Sequence, residues 1–439
     1  MGKGKTTALI EKCKQAQYSE DGDKRFIVVV PLLTEVERIK NAVGCEEPQG
    51  KKKIIALKSL VQRNKNIVCT HSLFNDFNHD IRELIKNSPK KYDLYHDEQP
   101  NVFQGVIASG WQVNTDSTLV QNLTKDDISV LFKSDMLKRE EPLESDNFNE
   151  GLKRVSRVFP TEKFKTSDTV YSPLLKYMED NALYAYGENR FDRHSPANLI
   201  SFTDIDIFDI YNEVWIFSYL MRGGLLQAYF ELNNKDVNKD IAWYHIENNK
   251  LVEGYKQEYP SGLMRIALCL DEKYNFDKKL SKTSFKKMDN KDFKEMAKKF
   301  RSYLRYGTYN SGKDKAENEY FYTTFKDFQK KVIMGQRNLR VNCFLANNAK
   351  ATNDYQDRCI VACLCAKFAN PALGIFFKQL NIAFDEKLFT LSELVQFIWR
   401  SNIRVQNSDD VVYVYIPCEE IRTLFANWLK DGITAKKDS

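Results

Sequence analysis

Gly2, Gly4, Lys5, Thr6 and Thr7 open the chain with the end of a phosphate-binding loop, in which Gly-Lys-Ser/Thr closes a glycine-rich turn that runs into a helix. Backbone N–H groups of such a loop cradle phosphates together with the helix N-terminus. Lys5 would then reach the β- and γ-phosphates of ATP, and the Thr6 hydroxyl would hold Mg²⁺. If Gly4, Lys5 and Thr6 end the pattern, its first Gly and the strand feeding it fall before residue 1, so a misplaced start or a clipped fragment is expected. About 90 residues on, the mostly apolar run Tyr92, Asp93, Leu94, Tyr95, His96 reads as a strand that delivers Asp97 and Glu98 at its end. This is a Walker B arrangement, with Asp97 organising Mg²⁺ and Glu98 activating the attacking water. Each motif alone is weak, and Asp97 with Glu98 could be a charged turn. Both in the expected order point to an ATPase.

Two further groups could belong to the same chemistry. The strand at 213–219 ends near Ser218, where a hydroxyl can sense the γ-phosphate state. Gln396, Arg400 and Arg404 are four residues apart, so one helix over 391–404 places them on one polar stripe. Two guanidinium groups on a shared face call for an anion, and an arginine finger on the transferred phosphoryl supplies one. A surface helix pairing its arginines with carboxylates such as Glu393 is the plainer alternative.

The elements that must position these groups follow from the hydropathy pattern. Helices are expected at 6–17, 33–43, 54–63 and 77–86, and buried strands at 26–30, 66–69 and 92–96, the alternation of a parallel sheet with crossover helices. Residues 101–200 read as a largely helical insertion. A helix is expected at 225–232, then a polar stretch of linker and peripheral helices over 233–316. A second series has strands at 320–324, 341–346 and 411–416, and helices at 325–333, from 354 through 367, at 391–404 and at 419–429. The domains expected are therefore 1–232, 233–316 and 317–439, an α/β chain with two βα lobes.

Composition narrows the function classes. With 439 residues, 42% hydrophobic and 29% charged, the chain reads as an ordinary globular protein with no run long enough to span a bilayer. The nine cysteines are scattered, which points to reduced thiols in a cytoplasm rather than a disulfide framework. Cys359, Cys363 and Cys365 form the one cluster, in an apolar stretch that reads as a buried helix rather than a metal site. The net charge of +6 permits a polyanion partner without requiring one. Lysines concentrate at 273–299, where a solvated helix face is weighed against a phosphate-tracking surface.

The order of these motifs, with Thr70, His71 and Ser72 after the second strand and Thr323, Thr324, Ala351, Thr352 and Asn353 in the second lobe, resembles the superfamily 2 DEAD/DEAH-like helicases. The segments ATNDYQD and LVQFIWRSNIR are most similar to the divergent branch carried by bacteriophages and mobile elements. The resemblance implies two RecA-like P-loop NTPase lobes with ATP and Mg²⁺ between them. It further implies a nucleic-acid strand, with DNA favoured over RNA and the choice left open, held by Thr70, His71, Thr324, Thr352 and Asn353, with Gln396, Arg400 and Arg404 facing ATP. The activity implied is a helicase or translocase in replication, recombination or repair, in the host cytoplasm, with replication-complex proteins as further partners and no membrane. Gln99 and Pro100 depart from the family's usual residues after Asp-Glu, and Gln396 to Arg404 is one residue longer than the common spacing. The alternatives are a non-catalytic nucleic-acid-binding or regulatory derivative, and a packaging motor, which would need a nuclease domain in place of the second lobe.

Overall fold

Seven residues, Lys24–Val30, form the first strand, and the five from 26 to 30 are wholly buried. An unbroken β-branched and aromatic run of this kind suits a strand covered on both faces, as in a parallel sheet flanked by helices. The computed structural model describes residues 4–18, 24–106, 111–115, 119–140, 155–188, 196–236, 238–247, 250–257, 259–346, 354–405 and 407–437. It divides into two units: an N-terminal unit, Leu9–Ala242 with Asn370–Phe384, and a C-terminal unit, Met1–Ala8, Trp243–Ala369 and Asp385–Ser439.

The chain begins with α1 (Lys5–Gln17), β1 (Lys24–Val30), α2 (Leu33–Val43), α3 (Lys53–Gln62), β2 (Ile67–Thr70), α4 (His71–Asn75), α5 (His79–Lys86) and β3 (Lys91–Asp97). The amphipathic α2 buries Val36, Ile39 and Val43 and stops at Gly44, whose φ of +66° is the left-handed geometry that ends helices. Next come β4 (Phe103–Val106), the hairpin β5 (Trp111–Thr115) and β6 (Leu119–Leu123), α6 (Lys125–Lys133), β7 (Leu137–Arg139), β8 (Ser156–Pro160), α7 (Glu162–Thr166), α8 (Ser172–Asp180), β9 (Asn181–Glu188) and β10 (Pro196–Thr203). The chain then re-enters the first sheet through α9 (Asp206–Asp209), β11 (Val214–Phe217) and α10 (Leu225–Leu232). The parallel sheet has the order β11-β3-β1-β2.

The insertion is mainly β, a correction to the helical reading of 101–200. Its five-stranded antiparallel sheet runs β4-β10-β9-β8-β7. One face, with Tyr184, Tyr186, Ile200 and Phe202, joins the main core. The other, with Val158, Leu183, Ala185 and Leu199, packs on Ile128, Leu131, Phe164 and Leu174 from α6, α7 and α8. With both faces buried, β9 and β10 lack the polar alternation that marks a half-exposed strand.

The C-terminal unit contains a hairpin of β12 (Tyr244–Glu247) and β13 (Lys250–Glu253), then β14 (Ile266–Leu268), α11 (Lys282–Lys287), α12 (Asn290–Tyr306), β15 (Tyr320–Thr323) and β16 (Ile360–Cys363); after α13 (Pro371–Gln379), which joins the other unit, it resumes with α14 (Glu386–Ile398), β17 (Val412–Tyr415) and α15 (Glu419–Lys437). Its sheet is parallel throughout, in the order β14-β17-β16-β15. α12 covers one face, with Tyr303 stacked on Tyr415 at 4.6 Å, and Phe397 of α14 meets Phe321 at 5.3 Å. Thus 233–316, read as linker and peripheral helices, contributes both a strand and a core helix to this unit.

Three local readings change. The apolar run around Cys359, Cys363 and Cys365 is the buried strand β16, not a helix, since a short apolar run carries no period to tell the two apart. Residues 325–333 hold only a 3₁₀ turn, Lys326–Phe328, followed by turns. Residues 341–346 form a 3₁₀ turn, Val341–Cys343, with a single parallel bridge from Phe344 to Tyr322. α13 lies in the N-terminal unit, where Phe376 meets Tyr184, Tyr186 and Phe202 at 5.5–5.8 Å.

Candidate functional site

The register of the first sheet brings Thr70, Asp97 and Ser218 to one edge. Val30 pairs with Thr70, Val29 with His96, and Phe217 with Asp97, so each chain leaves the sheet at the same level. In open parallel α/β sheets, ligands bind outside these carboxyl ends. Asp97 is 7% exposed and Glu98 half-buried.

The step from Asp97 to Glu98 is held by three partners, Phe217, His96 and His71. Glu98 has φ +71°, a left-handed conformation that costs a non-glycine residue about 1–3 kcal/mol. Its N–H donates to Phe217 O at 3.0 Å, and the His96 ring Nδ1–H donates to Glu98 O at 2.8 Å. The His71 ring Nε2–H donates to Asp97 O at 2.7 Å from the start of α4. A carbonyl can only accept, so these bonds fix which ring nitrogen carries the proton in each histidine. The His71 and His96 rings meet edge to face at 4.4 Å, and Phe74 meets His96 at 5.3 Å. His96, wholly buried, is the site residue that sequence reasoning passed over. Its signal was a histidine at the end of an apolar strand, directly before the two carboxylates.

Thr70 and His71 have structural partners on this edge: Thr70 Oγ1 accepts from Leu73 N at 3.3 Å and caps α4, and His71 holds Asp97. Ser218 is half-buried directly after β11. Deeper in β3, Asp93 is 1% exposed, accepts from Asn212 Nδ2 at 2.9 Å, and has its carboxyl pushed up by burial. A cavity of about 190 Å³ opens between α4, α5 and the insertion sheet, lined by Phe74, Arg82, Asn101, Gln104 and Asp180 among others. Arg82 is 4% exposed there and donates to Phe77 O and Asp180 O at 3.0 and 3.1 Å. Burial pushes the Asp180 carboxyl up, against the pull of the Arg82 guanidinium.

At the start of the chain Gly4 takes φ +82°, and the first helical bond of α1 runs from Ala8 N to Gly4 O at 2.8 Å. The N–H groups of Lys5, Thr6 and Thr7 therefore lack helical partners, the state in which a helix N-terminus receives an anion. Gly2 lies outside the described residues. By its contacts Met1–Ala8 groups with the C-terminal unit, while Asp97 and Glu98 belong to the N-terminal one.

In the C-terminal unit the three-residue polar stripe does not form. α14 ends at Ile398, Arg400 sits on the following turn, and Arg404 closes a 3₁₀ turn, Asn402–Arg404. Arg400 is buried, 8% exposed, whereas Arg404 is exposed. Past the helix end Asn402 N–H donates to Arg358 O at 2.9 Å instead of to Ile398 O, and Arg265 donates to Asn402 Oδ1, Asn402 O and Val405 O at 2.9–3.2 Å, which holds the 3₁₀ turn. Ser401 Oγ donates to Ile398 O at 2.7 Å and seals the helix end. Gln396 is half-buried and donates to Ser392 Oγ at 3.1 Å. Thr324 is 1% exposed at the end of β15, and Thr352 and Asn353 lie outside the described residues.

Among the described residues no group of three or more His, Cys, Asp or Glu side chains could hold a metal ion. An Mg²⁺ bound mainly through substrate phosphates and water needs no such group, and the Thr6 hydroxyl and the Asp97 carboxylate are each oxygen donors of the kind it takes. No described helix is long and apolar enough to cross a membrane.

Comparison with known proteins agrees with the mixed α/β architecture. Residues 262–429 match the family described as the YonV C-terminal Rossmann-like domain. The chain is 27% identical over 456 aligned positions, covering 98% of its length and 97% of the relative's, to the SPbeta prophage-derived uncharacterized protein YonV of Bacillus subtilis (strain 168). The C-terminal domain is accordingly Rossmann-like.

Proposed function

We propose that this chain is an ATP-dependent nucleic-acid helicase or translocase with two RecA-like lobes, serving the replication, recombination or repair of a phage or mobile-element genome in the host cytoplasm. The observation that carries the reading is the left-handed step at Glu98, clamped by His71, His96 and Phe217 at the carboxyl edge of a parallel sheet. Backbone strain tied down on several sides marks a residue whose direction matters. The prophage origin in the relative's name supports the genomic setting.

In this reading the free N–H groups at the start of α1 and the Lys5 ammonium bind the β- and γ-phosphates. Thr6 and Asp97 hold Mg²⁺, which supplies charge neutralisation on the phosphates when bound. Glu98 accepts a proton from the attacking water, and the clamp fixes the backbone from which it reaches. Ser218, on the neighbouring strand, reads the γ-phosphate. Arg400 stabilises charge on the transferred phosphoryl; Gln396 and Arg404 flank it. By the family resemblance, contacts with the phosphodiester backbone are assigned to Thr70, His71, Thr324, Thr352 and Asn353.

The test is the rate of ATP hydrolysis, with and without DNA or RNA, in the wild type, Lys5→Ala and Glu98→Gln. A DNA-stimulated rate lost in both variants is expected, with nucleotide binding retained in Glu98→Gln. Equal rates in all three refute catalysis and leave a non-catalytic nucleic-acid-binding protein.

A further inference from the structure

Residues 273–305 hold twelve Lys and Arg against four Asp and Glu, while the rest of the chain holds 54 against 56. One segment of 33 residues therefore carries more than the whole positive excess of the protein. It lies in the C-terminal unit. Ser281 caps α11 and Asp289 caps α12, and the two helices bury Phe285, Phe293, Met296, Ala297 and Phe300. That packing fixes which side faces water. Lys279, Lys282, Lys286, Lys287, Lys291, Lys294 and Lys298 are all exposed. Some of the acidic groups are already engaged, since Asp292 pairs with Lys278 and Asp289 caps α12. Among the described residues none of these seven lysines has a carboxylate partner.

Tertiary packing enlarges the patch. Phe328 stacks on Phe293 at 5.8 Å and Phe325 meets Phe285 at 5.3 Å, which fastens the 3₁₀ turn Lys326–Phe328 beside α11 and α12. The exposed Lys326, Lys330 and Lys331 are thereby carried to the same helix pair, with the Lys331 ammonium 5.5 Å from the Phe293 ring centre. Leaving so many like charges together without counter-charges opposes folding, so the arrangement fits a polyanion.

We propose that this face is a duplex-tracking surface: it binds the phosphate backbone of double-stranded nucleic acid. The inference rests on the nucleic-acid reading above and deepens it. The partner follows from what the face displays. No large apolar side chain is exposed between residues 278 and 298, so it lacks the anchors of a membrane-surface helix. Between the same residues it offers no exposed aromatic platform on which unpaired bases could stack, the exposed Tyr306 lying at the far end of α12. It displays ammonium groups, with Lys291, Lys294 and Lys298 along about 10 Å of one helix face. Duplex DNA presents one negative charge per about 1.7 Å of axis, enough to meet each of them without reading sequence.

The experiment is fluorescence anisotropy of a labelled 20-base-pair duplex and the matching single strand, with the full chain, over a range of salt. The triple variant Lys291→Gln/Lys294→Gln/Lys298→Gln is compared with a charge-matched control, Lys51→Gln/Lys52→Gln/Lys125→Gln, and melting temperatures verify that both fold. For the first variant, the slope of log K against log salt on duplex should become shallower by about 0.9 per lysine in phosphate contact, or about 2.7 for three, with the control unchanged. Duplex binding with the same slope in all three proteins overturns this surface and leaves the nucleic-acid reading standing. Absence of any nucleic-acid binding by the wild type overturns that reading itself. Tighter binding of single strand than duplex, lost in the triple variant, overturns the duplex assignment. Binding to vesicles containing 30% phosphatidylserine, lost in the triple variant while duplex binding is absent, reassigns the face to a membrane.

Discussion

Replacing His71 by Phe tests the clamp on the Asp97 and Glu98 step. The ring, with its edge-to-face packing on His96 at 4.4 Å, can be kept in place, while the donor to Asp97 O at 2.7 Å is lost. A typical hydrogen bond contributes about 0.5–1.5 kcal/mol, and a buried acceptor left without a partner costs about 1–3 kcal/mol. Asp97 is 7% exposed, so the upper range applies and about 1–3 kcal/mol of stability should be lost. For a unit of this size each kcal/mol corresponds to roughly 2–4 °C in melting temperature. The stability effect alone would fit a purely structural bond. The discriminating readout is therefore ATP hydrolysis well below the new melting temperature, with kcat and KM separated. If the clamp aims Glu98, kcat falls while KM for ATP stays near its wild-type value. His71→Gln, whose amide can donate to the same carbonyl, should recover part of both losses. An unchanged melting temperature refutes the bond as a stabilising contact. A lowered melting temperature with unchanged kcat, in a protein shown to hydrolyse ATP, refutes the assignment of this turn to catalysis.

Other perturbations test the packing around the sites. Phe376→Ala empties a fully buried position among Tyr184, Tyr186, Phe202 and Phe377, and should cost about 3–5 kcal/mol by urea unfolding of the N-terminal unit, although residue 376 is far from that unit in sequence. Arg265→Ala removes the donors that hold Asn402 and Val405 and should cost about 1.5–3 kcal/mol, with faster hydrogen exchange over 402–405 and lower occupancy of the Arg400 geometry in any nucleotide-dependent assay. Asp93 has a folded-state pKa raised by burial above 3.8, so the folded chain holds this proton more tightly than the unfolded one. Its contribution falls as pH rises from about 3.8 through the raised value and is constant above it. In Asp93→Asn, urea midpoints measured across that window should lose this component of the decline.

Strand existence in the first sheet was legible because 26–30, 67–69 and 92–96 are short apolar runs bounded by helical patterns, and burial on both faces demands that composition. The edge position of Asp97, Glu98, Thr70 and Ser218 was legible for the same reason, since the residue after a buried strand must leave the sheet. Three things could not be read. The β insertion was hidden because both of its faces are covered, which erases the alternation. The placement of α13 was hidden because Phe376 and Phe377 would serve equally well in either core. The break after Ile398 was hidden because the groups that hold the turn beyond it, Arg265 and the Arg358 carbonyl, lie far from it in the chain.

The amino-acid sequence by itself determined local matters: which runs are buried, where a glycine opens a helix, and which carboxylates follow a strand. Each depends on neighbours within a turn or a strand, whose periodicity and steric preferences act before any distant contact forms. Only the tertiary structure decided that His71 and His96 converge on one backbone step, that Arg400 turns inward while Arg404 turns outward, and that lysines from 326–331 join those of α11 and α12. Those outcomes depend on hydrogen bonds and ring contacts between segments far apart in the chain, and no spacing within either segment encodes the partner.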